Sequence, residues 1–195
     1  MFTEASRNED VCRIFIRSHF VGGGQNLVPE VVSMATEDLS REIYTRLFHN
    51  LKNLIPDLFV IGTKGLSVIA NGESLYLDVQ SKQKICIVII LAQYYKSTSG
   101  DWIPTPEMEI AVYPLQQTAE VLVCHEPDSR RQVYGENRMT KDAQAEMELN
   151  CYLDRWLIRL IEQGHCIKVG EIAEEQVTPR VVWSAWQAGA TPVHP

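Results

Sequence analysis

The sequence predicts an α+β protein, in which an antiparallel meander sheet of about five or six strands carries an N-terminal and a C-terminal helix packed on one face. Two segments near the ends place apolar residues every three to four positions, which is the period of a helix. The chain between them alternates apolar and polar residues and is rich in β-branched side chains. Its connections are too short for parallel crossovers, so we expect consecutive strands to run antiparallel.

The length of 195 residues favours one domain with extensions at both ends. We expect a loosely attached N-terminal extension over residues 1–35, a single α+β domain over residues 36–166 and a C-terminal tail over residues 167–195. Residues 11–20 of the extension suit a short strand or helix. The three consecutive glycines at residues 22–24 are followed by no periodic segment, which is typical of a linker. Met34 stands just before the first predicted helix and is an alternative initiator.

The first predicted helix spans residues 36–56. Thr36 suits the N-cap, and Pro56 ends the helix because proline lacks the amide hydrogen that helix continuation needs. A single apolar stripe runs along this segment at Leu39, Ile43, Leu47, Leu51 and Leu54.

The predicted strands are short segments with β-branched or alternating residues between turn signals. Asn71 and Gly72 indicate a tight hairpin, since both residues tolerate positive φ. Pro104 and Pro106 are expected to bound the strand that starts at Glu107, because proline is disfavoured inside a central strand. In chain order the segments are residues 58–62, 66–70, 74–79, 84–95, 107–113 and 119–125, with 132–134 as a short edge strand.

The second predicted helix spans residues 142–165, with Thr140 as its N-cap and Gly164 just past its end. Asn150 lies at the edge of the apolar arc, so we expect its side chain to hydrogen-bond a nearby backbone group. The apolar arc includes Leu153, Trp156 and Leu160, and the opposite arc holds Glu148, Asp154, Arg155, Arg159 and Glu162.

The apolar stripes of the two helices are expected to cover the same sheet face. The contributing residues are Ile43, Leu47 and Leu51 from the first helix and Leu153, Trp156 and Leu160 from the second. The other face then stays available to a protein partner, with Tyr76, Tyr113 and several acids on or near it.

Composition excludes several classes of function. The net charge of −7 argues against general affinity for nucleic acid or anionic membranes. The longest apolar run, residues 85–92, is far shorter than the ~20 residues of a membrane helix. The five cysteines are widely spaced, and no phosphate-binding or dinucleotide-binding glycine motif occurs. We therefore expect a cytoplasmic protein, in a reducing compartment and without a cofactor.

Several strings resemble the YqiB-like proteins, a family of small, mainly proteobacterial proteins catalogued as a domain of unknown function. They keep the family's order over residues 38–166. The chain departs from the family pattern at Glu146 and Glu148, where more basic or amide residues are expected. The resemblance implies a cytoplasmic α+β protein and implies no catalytic residue. The strings are FHNLKNLIP (48–56), the hairpin into the long central strand, MEIAVYPLQQTAEV (108–121), YGENRMTKD (134–142) and NCYLDRWLIRLIEQG (150–164).

The candidate anion-binding site lies in the loop before the second helix. Arg130, Arg131 and Arg138 lie in this loop and Lys141 stands at the helix start, where free backbone N–H groups also point outward. This arrangement predicts an anion or phosphate site. The alternative is a solvated loop whose cations balance nearby acids.

Two other sets of residues have metal-binding or acid–base chemistry. Glu107, Glu109 and Glu120 are candidates for a divalent cation or for proton transfer, and the alternative is the solvated face of a sheet. Two Cys–His neighbours, residues 124–125 and 165–166, offer soft ligands, but they lack the close paired spacing of zinc sites. We predict no metal site.

By composition, the chain favours a non-catalytic protein-interaction or adaptor module. The alternative is a small-anion or nucleotide-binding sensor or enzyme that uses the arginine loop. A remote alternative is peptidyl-tRNA hydrolysis, because Gly23, Gly24 and Gln25 form a tripeptide that resembles the catalytic loop of peptide-chain release factors. The acidic chain without a basic tail argues against that alternative.

Overall fold

The chain divides into two compact units, residues 1–40 and 41–195. A computed structural model describes the backbone of residues 29–60, 62, 64–70, 73–100, 102–135 and 139–168, and side chains from Arg41 onwards apart from Trp102. The elements are α1 (Pro29–Leu54), β1 (Lys64–Ser67), β2 (Leu75–Lys82), β3 (Ile87–Lys96), β4 (Trp102–Tyr113), β5 (Thr118–Glu126), β6 (Ser129–Gln132) and α2 (Ala143–Glu162).

The six strands form one sheet in the order β1-β2-β3-β4-β5-β6, and every neighbouring pair is antiparallel. The predicted meander is confirmed. Side chains alternate between the two faces of the sheet, and the face toward the helices forms the apolar core. Its residues are at most 3% exposed, and they are Leu75, Leu77, Ile87, Ile89, Leu91, Met108, Ile110, Val112, Ala119, Val121 and Cys124.

The predicted strand at residues 58–62 is wrong, because residues 56–60 form turns after α1. The Leu58 amide donates to the Ile55 carbonyl, and the Val60 amide donates to the Asp57 carbonyl. Leu58 is fully buried. The apolar character of Leu58 thus reflects its packing into the core from a turn.

β4 begins at Trp102, five residues before the predicted start at Glu107, and includes Pro104 and Pro106. Two features of the sheet accommodate the prolines. Residues 102–106 pair with β3 but not with β5, so a missing N–H on that side breaks no ladder bond. Pro106 also lies at a change in register.

The register of β3 against β4 shifts between Ala92 and Tyr94. Gln93 therefore stands opposite two β4 residues, Thr105 and Pro106, which is the pattern of a β-bulge. A bulge bends the strand and changes the direction of nearby side chains. A second register shift, between β4 and β5, leaves Leu122 as the extra residue in β5.

Both helix starts differ from prediction. α1 begins at Pro29, well before Thr36, because proline suits the first helical position, where its missing N–H needs no partner. The N-cap of α2 is Asp142 and not Thr140, since the Asp142 side chain accepts from the Gln144 and Ala145 amides. Gly164, with φ 87°, follows the end of α2 as predicted.

The two helices cover one face of the sheet through the predicted apolar stripes, whose six named residues are at most 4% exposed. Asn150 fastens α2 to the sheet, because its Oδ1 accepts from the Val121 amide at 2.9 Å. Its predicted backbone contact is thus confirmed. The Ile167 amide donates to the Leu54 carbonyl at 2.8 Å, which ties the segment after α2 to the end of α1.

Asp154 is only 3% exposed, although the helical pattern placed it in solvent. Arg46 of α1 explains this difference: its Nε donates to Asp154 Oδ1 at 3.1 Å and to Oδ2 at 3.0 Å. Asn50 Nδ2 donates to Asp154 Oδ1 at 3.2 Å. The buried carboxylate is thus satisfied by two residues of the neighbouring helix.

Some predicted features lie outside the described residues. These are the Asn71-Gly72 turn, the glycines and Gln25 of the extension, and the tail from residue 169 onwards. Within the described residues, no helix is long and apolar enough to cross a lipid bilayer.

Candidate functional site

The sheet face opposite the helices carries polar side chains in register. Met108 and Ile110 are fully buried on the helix side, so Glu107 and Glu109 between them point to the other face. We call this other face the polar face. It is defined by Tyr76, Asp78, Tyr94, Glu107, Glu109, His125 and Arg130.

An acid, an imidazole and a guanidinium form one line across this face. Glu107 pairs directly with His125 on β5, and His125 pairs directly with Arg130 on β6. Neighbouring strands lie about 4.8 Å apart, so these three side chains are adjacent. No sequence motif signals this line, because its members are separated by loops.

Glu107 is held as a hydrogen-bond acceptor by Tyr94, whose hydroxyl donates to Oε2 at 2.6 Å. Burial raises the pKa of Glu107, the Tyr94 hydrogen bond opposes this, and the charge of Glu109 raises the pKa further. Glu107 therefore binds a proton more readily than an exposed glutamate does.

Burial and the nearby Arg130 charge both lower the pKa of His125. The imidazole is therefore neutral at pH 7, with one nitrogen that donates and one that accepts. The line can thus offer an acceptor, a neutral imidazole and a cation to a ligand that spans three strands.

A concavity of about 400 Å³ adjoins this line. The extra residue Leu122 lies in its wall, next to Val123, so the β5 bulge helps to shape it. Residues of β4, of β6 and of the loop after β6 line the rest: Glu109, Arg130, Gln132, Tyr134 and Gly135.

The structure separates the predicted anion-binding residues. Arg130 lies on the polar face and donates to Gln132 Oε1 at 2.7 Å. Arg131 points to the helix side, where it pairs with Glu126 at 3.8 Å and Glu148 at 3.4 Å. Successive strand residues point to opposite faces, so these two arginines do not converge on one ligand.

Lys141 lies near the start of α2 and pairs with Glu146 at 2.5 Å. Its Nζ also lies over the Tyr134 ring, 5.7 Å from the ring centre. The amides of Gln144 and Ala145 are occupied by the Asp142 cap. Arg138 lies outside the described residues. Anion binding by these residues stays a prediction, and of the three that the structure describes, Arg130 borders the concavity.

Strand alternation places all three predicted acids on the same side of the sheet, because Ala119 and Val121 on either side of Glu120 are buried toward the helices. The Glu120 carboxylate is already engaged, since it accepts from Tyr113 at 2.7 Å and from Tyr134 at 3.0 Å. Among the described residues, no group of three or more acids, histidines or cysteines is arranged to hold a metal ion.

A network of tyrosines and carboxylates joins the start of β5 to both helices. Tyr44 of α1 donates to Glu146 of α2, the same carboxylate that pairs with Lys141. Burial raises the pKa of Tyr44, and its hydrogen bond to Glu146 adds to the effect. The two residues are 102 positions apart, so sequence spacing gave no signal for this contact.

The two Cys–His neighbours do not form a common site. Cys124 is buried on the helix side, where burial raises the pKa of its thiol to about 12, so it stays protonated at pH 7. His165 is also buried, and its Nδ1 lies 3.1 Å from the Ser67 hydroxyl. Ser67 accepts as well from the Cys166 amide, so this contact fastens the end of α2 to β1.

The model of one protein family, described as protein of unknown function (DUF1249), matches residues 50–166. The match covers β1 to α2 and the end of α1. No curated protein and no solved structure matches the chain.

Proposed function

The chain belongs to the DUF1249 family, whose function is unknown, and from its geometry we propose that it is a non-catalytic interaction module that docks a protein partner on the polar face. The line of Glu107, His125 and Arg130 across three strands carries the proposal. Such a line presents acceptors and donors along one direction, as a partner segment crossing the strands requires.

The half-buried Tyr76 on the same face supports a protein partner. Its ring meets that of the buried Tyr94 edge to face, with ring centres 5.5 Å apart, and is held in place by this contact. Tyrosine and arginine are enriched at the centres of protein interfaces, because they combine large contact area with hydrogen-bonding groups.

The charges of the polar face indicate a partner with basic or amide donors. Asp78 on β2 and Glu107 and Glu109 on β4 lie on either side of β3 on this face. The cations that the strand register places on the same face include Lys64, opposite Asp78 on β1, and Arg130 at the β6 edge. Burial raises the pKa of Asp78, and Lys64 on the adjacent strand opposes this. A lysine or arginine of the partner gains hydrogen bonds from these acids.

Reversal of one charge on the polar face tests the proposal. Glu109→Arg places a cation in the concavity, and we expect at least a tenfold loss (about 1.4 kcal/mol) in affinity for the partner. Glu162→Arg makes the same charge change at the exposed end of α2 and is the matched control. Partners are identified by quantitative affinity capture with both variants and wild type, and their affinities are then measured with purified protein.

A partner that binds wild type and Glu162→Arg equally, and Glu109→Arg at least tenfold more weakly, supports the proposal. Equal binding by all three proteins places the interface elsewhere and contradicts it. Circular dichroism of each variant confirms that the fold is retained.

A second candidate function is small-anion or nucleotide sensing, favoured by the position of Arg130 in the lining of the concavity. We expect phosphate or a nucleotide to raise the melting temperature of wild type, and Arg130→Ala to abolish the increase. Arg131→Ala is the control, because Arg131 points to the opposite face. A shift that survives Arg130→Ala excludes this site.

We infer further that the protein is YqiB-like, bacterial and cytoplasmic. The order of the resembling strings supports the family name. Cys124 and Cys166 form no disulfide with any described residue, which fits a reducing compartment. Thiol labelling after cell fractionation tests the location: full labelling in the soluble cytoplasmic fraction supports it, and a disulfide-linked or secreted protein contradicts it.

We also propose that residues 36–166 form the domain, with residues 1–35 and 167–195 as attached segments. The family match over residues 50–166 supports the C-terminal boundary. Limited proteolysis with mass spectrometry tests both boundaries. A resistant fragment that retains the first 35 residues contradicts the N-terminal boundary.

A further inference from the structure

A second concavity, of about 570 Å³, lies on the helix side of the sheet beside the C-terminal half of α2. Its volume is in the range of pockets that hold small molecules. We call it the α2 pocket, and its chemistry comes from Glu73, Gln93, Thr105, Tyr152, Trp156 and Arg159.

Helical spacing and the β3–β4 bulge together build this pocket. Tyr152, Trp156 and Arg159 are spaced by four and three residues, so they lie on one stripe of α2. Gln93 and Thr105 come from the bulge, where two residues of β4 face one residue of β3. Bulges change the direction of side chains and are common beside functional sites.

Gln93 is held in one orientation at the wall of the pocket. It is 8% exposed, and its Oε1 accepts from Trp156 Nε1 at 3.1 Å. The amide oxygen is therefore occupied, and Nε2 is the group that remains to donate to a ligand. Trp156 is itself 3% exposed, so neither side chain is free to reorient.

Thr105 contributes a hydroxyl that forms no hydrogen bond with any described residue. Its Oγ1 is also shielded from solvent. A buried hydroxyl without a partner is unfavourable, and a polar group bound in the pocket removes this penalty.

The pocket also carries one charge of each sign. Arg159 and Glu73 are both exposed. Neither forms an ion pair with the other or with another residue in the described part of the chain. Both charges are therefore available to a ligand, and Glu73 disfavours a ligand with a second negative charge.

We propose that the α2 pocket binds a small zwitterion of the α-amino-acid class. The ligand carboxylate pairs with the Arg159 guanidinium and its ammonium with the Glu73 carboxylate. A further polar group of the ligand hydrogen-bonds Gln93 Nε2 and Thr105 Oγ1. The pocket and the polar face lie on opposite sides of the sheet, so this inference is independent of the proposed interaction function.

Nuclear magnetic resonance of the full chain labelled with ¹⁵N tests ligand binding. The Trp156 indole N–H is the reporter, and Trp156→Phe assigns its signal. The probes are single α-amino acids, dipeptides, the corresponding decarboxylated amines and N-acetylated amino acids. We expect saturable shifts with amino acids or dipeptides, and affinities at least about tenfold weaker for probes that lack either charge.

The two zwitterionic probe sets distinguish free amino acids from peptide-linked ones, and saturable binding by either set supports the proposal. An amine or an N-acetylated probe that binds as tightly as its parent amino acid overturns it. The absence of any saturable shift at millimolar concentrations also overturns it.

Two variants test the individual contacts. Arg159→Ala is expected to weaken binding at least about tenfold, whereas Arg155→Ala, one turn earlier on the same helix and outside the pocket, leaves it unchanged. Equal affinity of Arg159→Ala and wild type contradicts the carboxylate contact.

Thr105→Val removes the hydroxyl and retains the shape of the side chain. We expect an unchanged or higher melting temperature without ligand, because no hydrogen bond is lost, together with weaker binding. A lower melting temperature with unchanged affinity assigns this hydroxyl a purely structural role and overturns its place in the site.

Discussion

At the scale of single residues, the molecule buries a carboxylate that the helical pattern places in solvent. Asp154 accepts three hydrogen bonds from Arg46 and Asn50, and its side chain is 5% exposed, against 20% for Arg46. Removal of one partner from such a pair leaves the other charge buried and uncompensated, which is costly.

Asp154→Ala is therefore expected to lower the free energy of unfolding by about 3 kcal/mol. The double variant Arg46→Met with Asp154→Leu is expected to recover most of this loss, because two apolar side chains replace the pair. Urea denaturation measures both. Glu42→Ala is the control, since Glu42 is 70% exposed and lies 4.0 Å from Arg46, so its loss changes stability by at most about 0.5 kcal/mol. A double variant no more stable than Asp154→Ala contradicts this account.

At the scale of elements, polar side chains accept hydrogen bonds from backbone amides at the places where the regular hydrogen bonding of a strand or helix ends. Asn150 of α2 accepts from the Val121 amide next to the β5 bulge, and Asp142 accepts from the first amides of α2. Each contact satisfies a backbone donor that the ladder or the helix leaves open. The ends of elements are thus set by specific polar residues.

Two alanine substitutions test which residue, Asp142 or Thr140, is the N-cap of α2. Asp142→Ala is expected to cost about 1 kcal/mol in unfolding free energy, because two amides lose their acceptor. Thr140→Ala, the cap that sequence predicted, is expected to cost less than about 0.5 kcal/mol. A larger loss for Thr140→Ala than for Asp142→Ala shows that the cap assignment is wrong.

Sequence predicted the two helices and the antiparallel meander, apart from the wrong strand at residues 58–62, because these depend on apolar periodicity. Leu47, Leu51 and Trp156 face the core as that periodicity requires. Periodicity did not predict features that depend on contacts between distant parts of the chain. A β-bulge accommodates Pro106 within β4, and the ion pair with Arg46 allows Asp154 to be buried. The sequence predicted part of the polar face, because it placed the acids and Tyr76 on or near the face opposite the helices. Their alignment with His125 and Arg130 depends on strand register, which a single sequence specifies only loosely.

At the scale of the whole molecule, buried ionisable groups link stability to pH. Burial lowers the pKa of His165 and of His125, so the unfolded chain binds these protons more readily. Stability therefore falls as the pH falls below about 6.5, the ordinary pKa of histidine. Burial raises the pKa of Glu107 and Asp78, so the folded chain binds those protons more readily. The acids thus oppose the histidine effect as the pH falls further, toward about 4.

We expect the urea midpoint to be lower at pH 6.0 than at pH 7.5. His165→Gln is expected to reduce this difference, because up to about one proton per molecule no longer binds on unfolding. His49→Gln is the control, since His49 is exposed on α1. An equal pH dependence in wild type and His165→Gln contradicts the assignment to His165.

The ion pair between Arg46 and Asp154 joins residues 108 positions apart, on either side of the complete meander. During synthesis, α1 leaves the ribosome first, whereas its buried partner follows after every strand has been made. At about 5–20 residues per second, the interval is roughly 5–20 s. During this interval the apolar stripe of α1 lacks its final packing partner, α2, whereas local hairpins form within microseconds. We expect α1 to dock late, and the nascent chain to be most open to chaperone binding or aggregation during this interval.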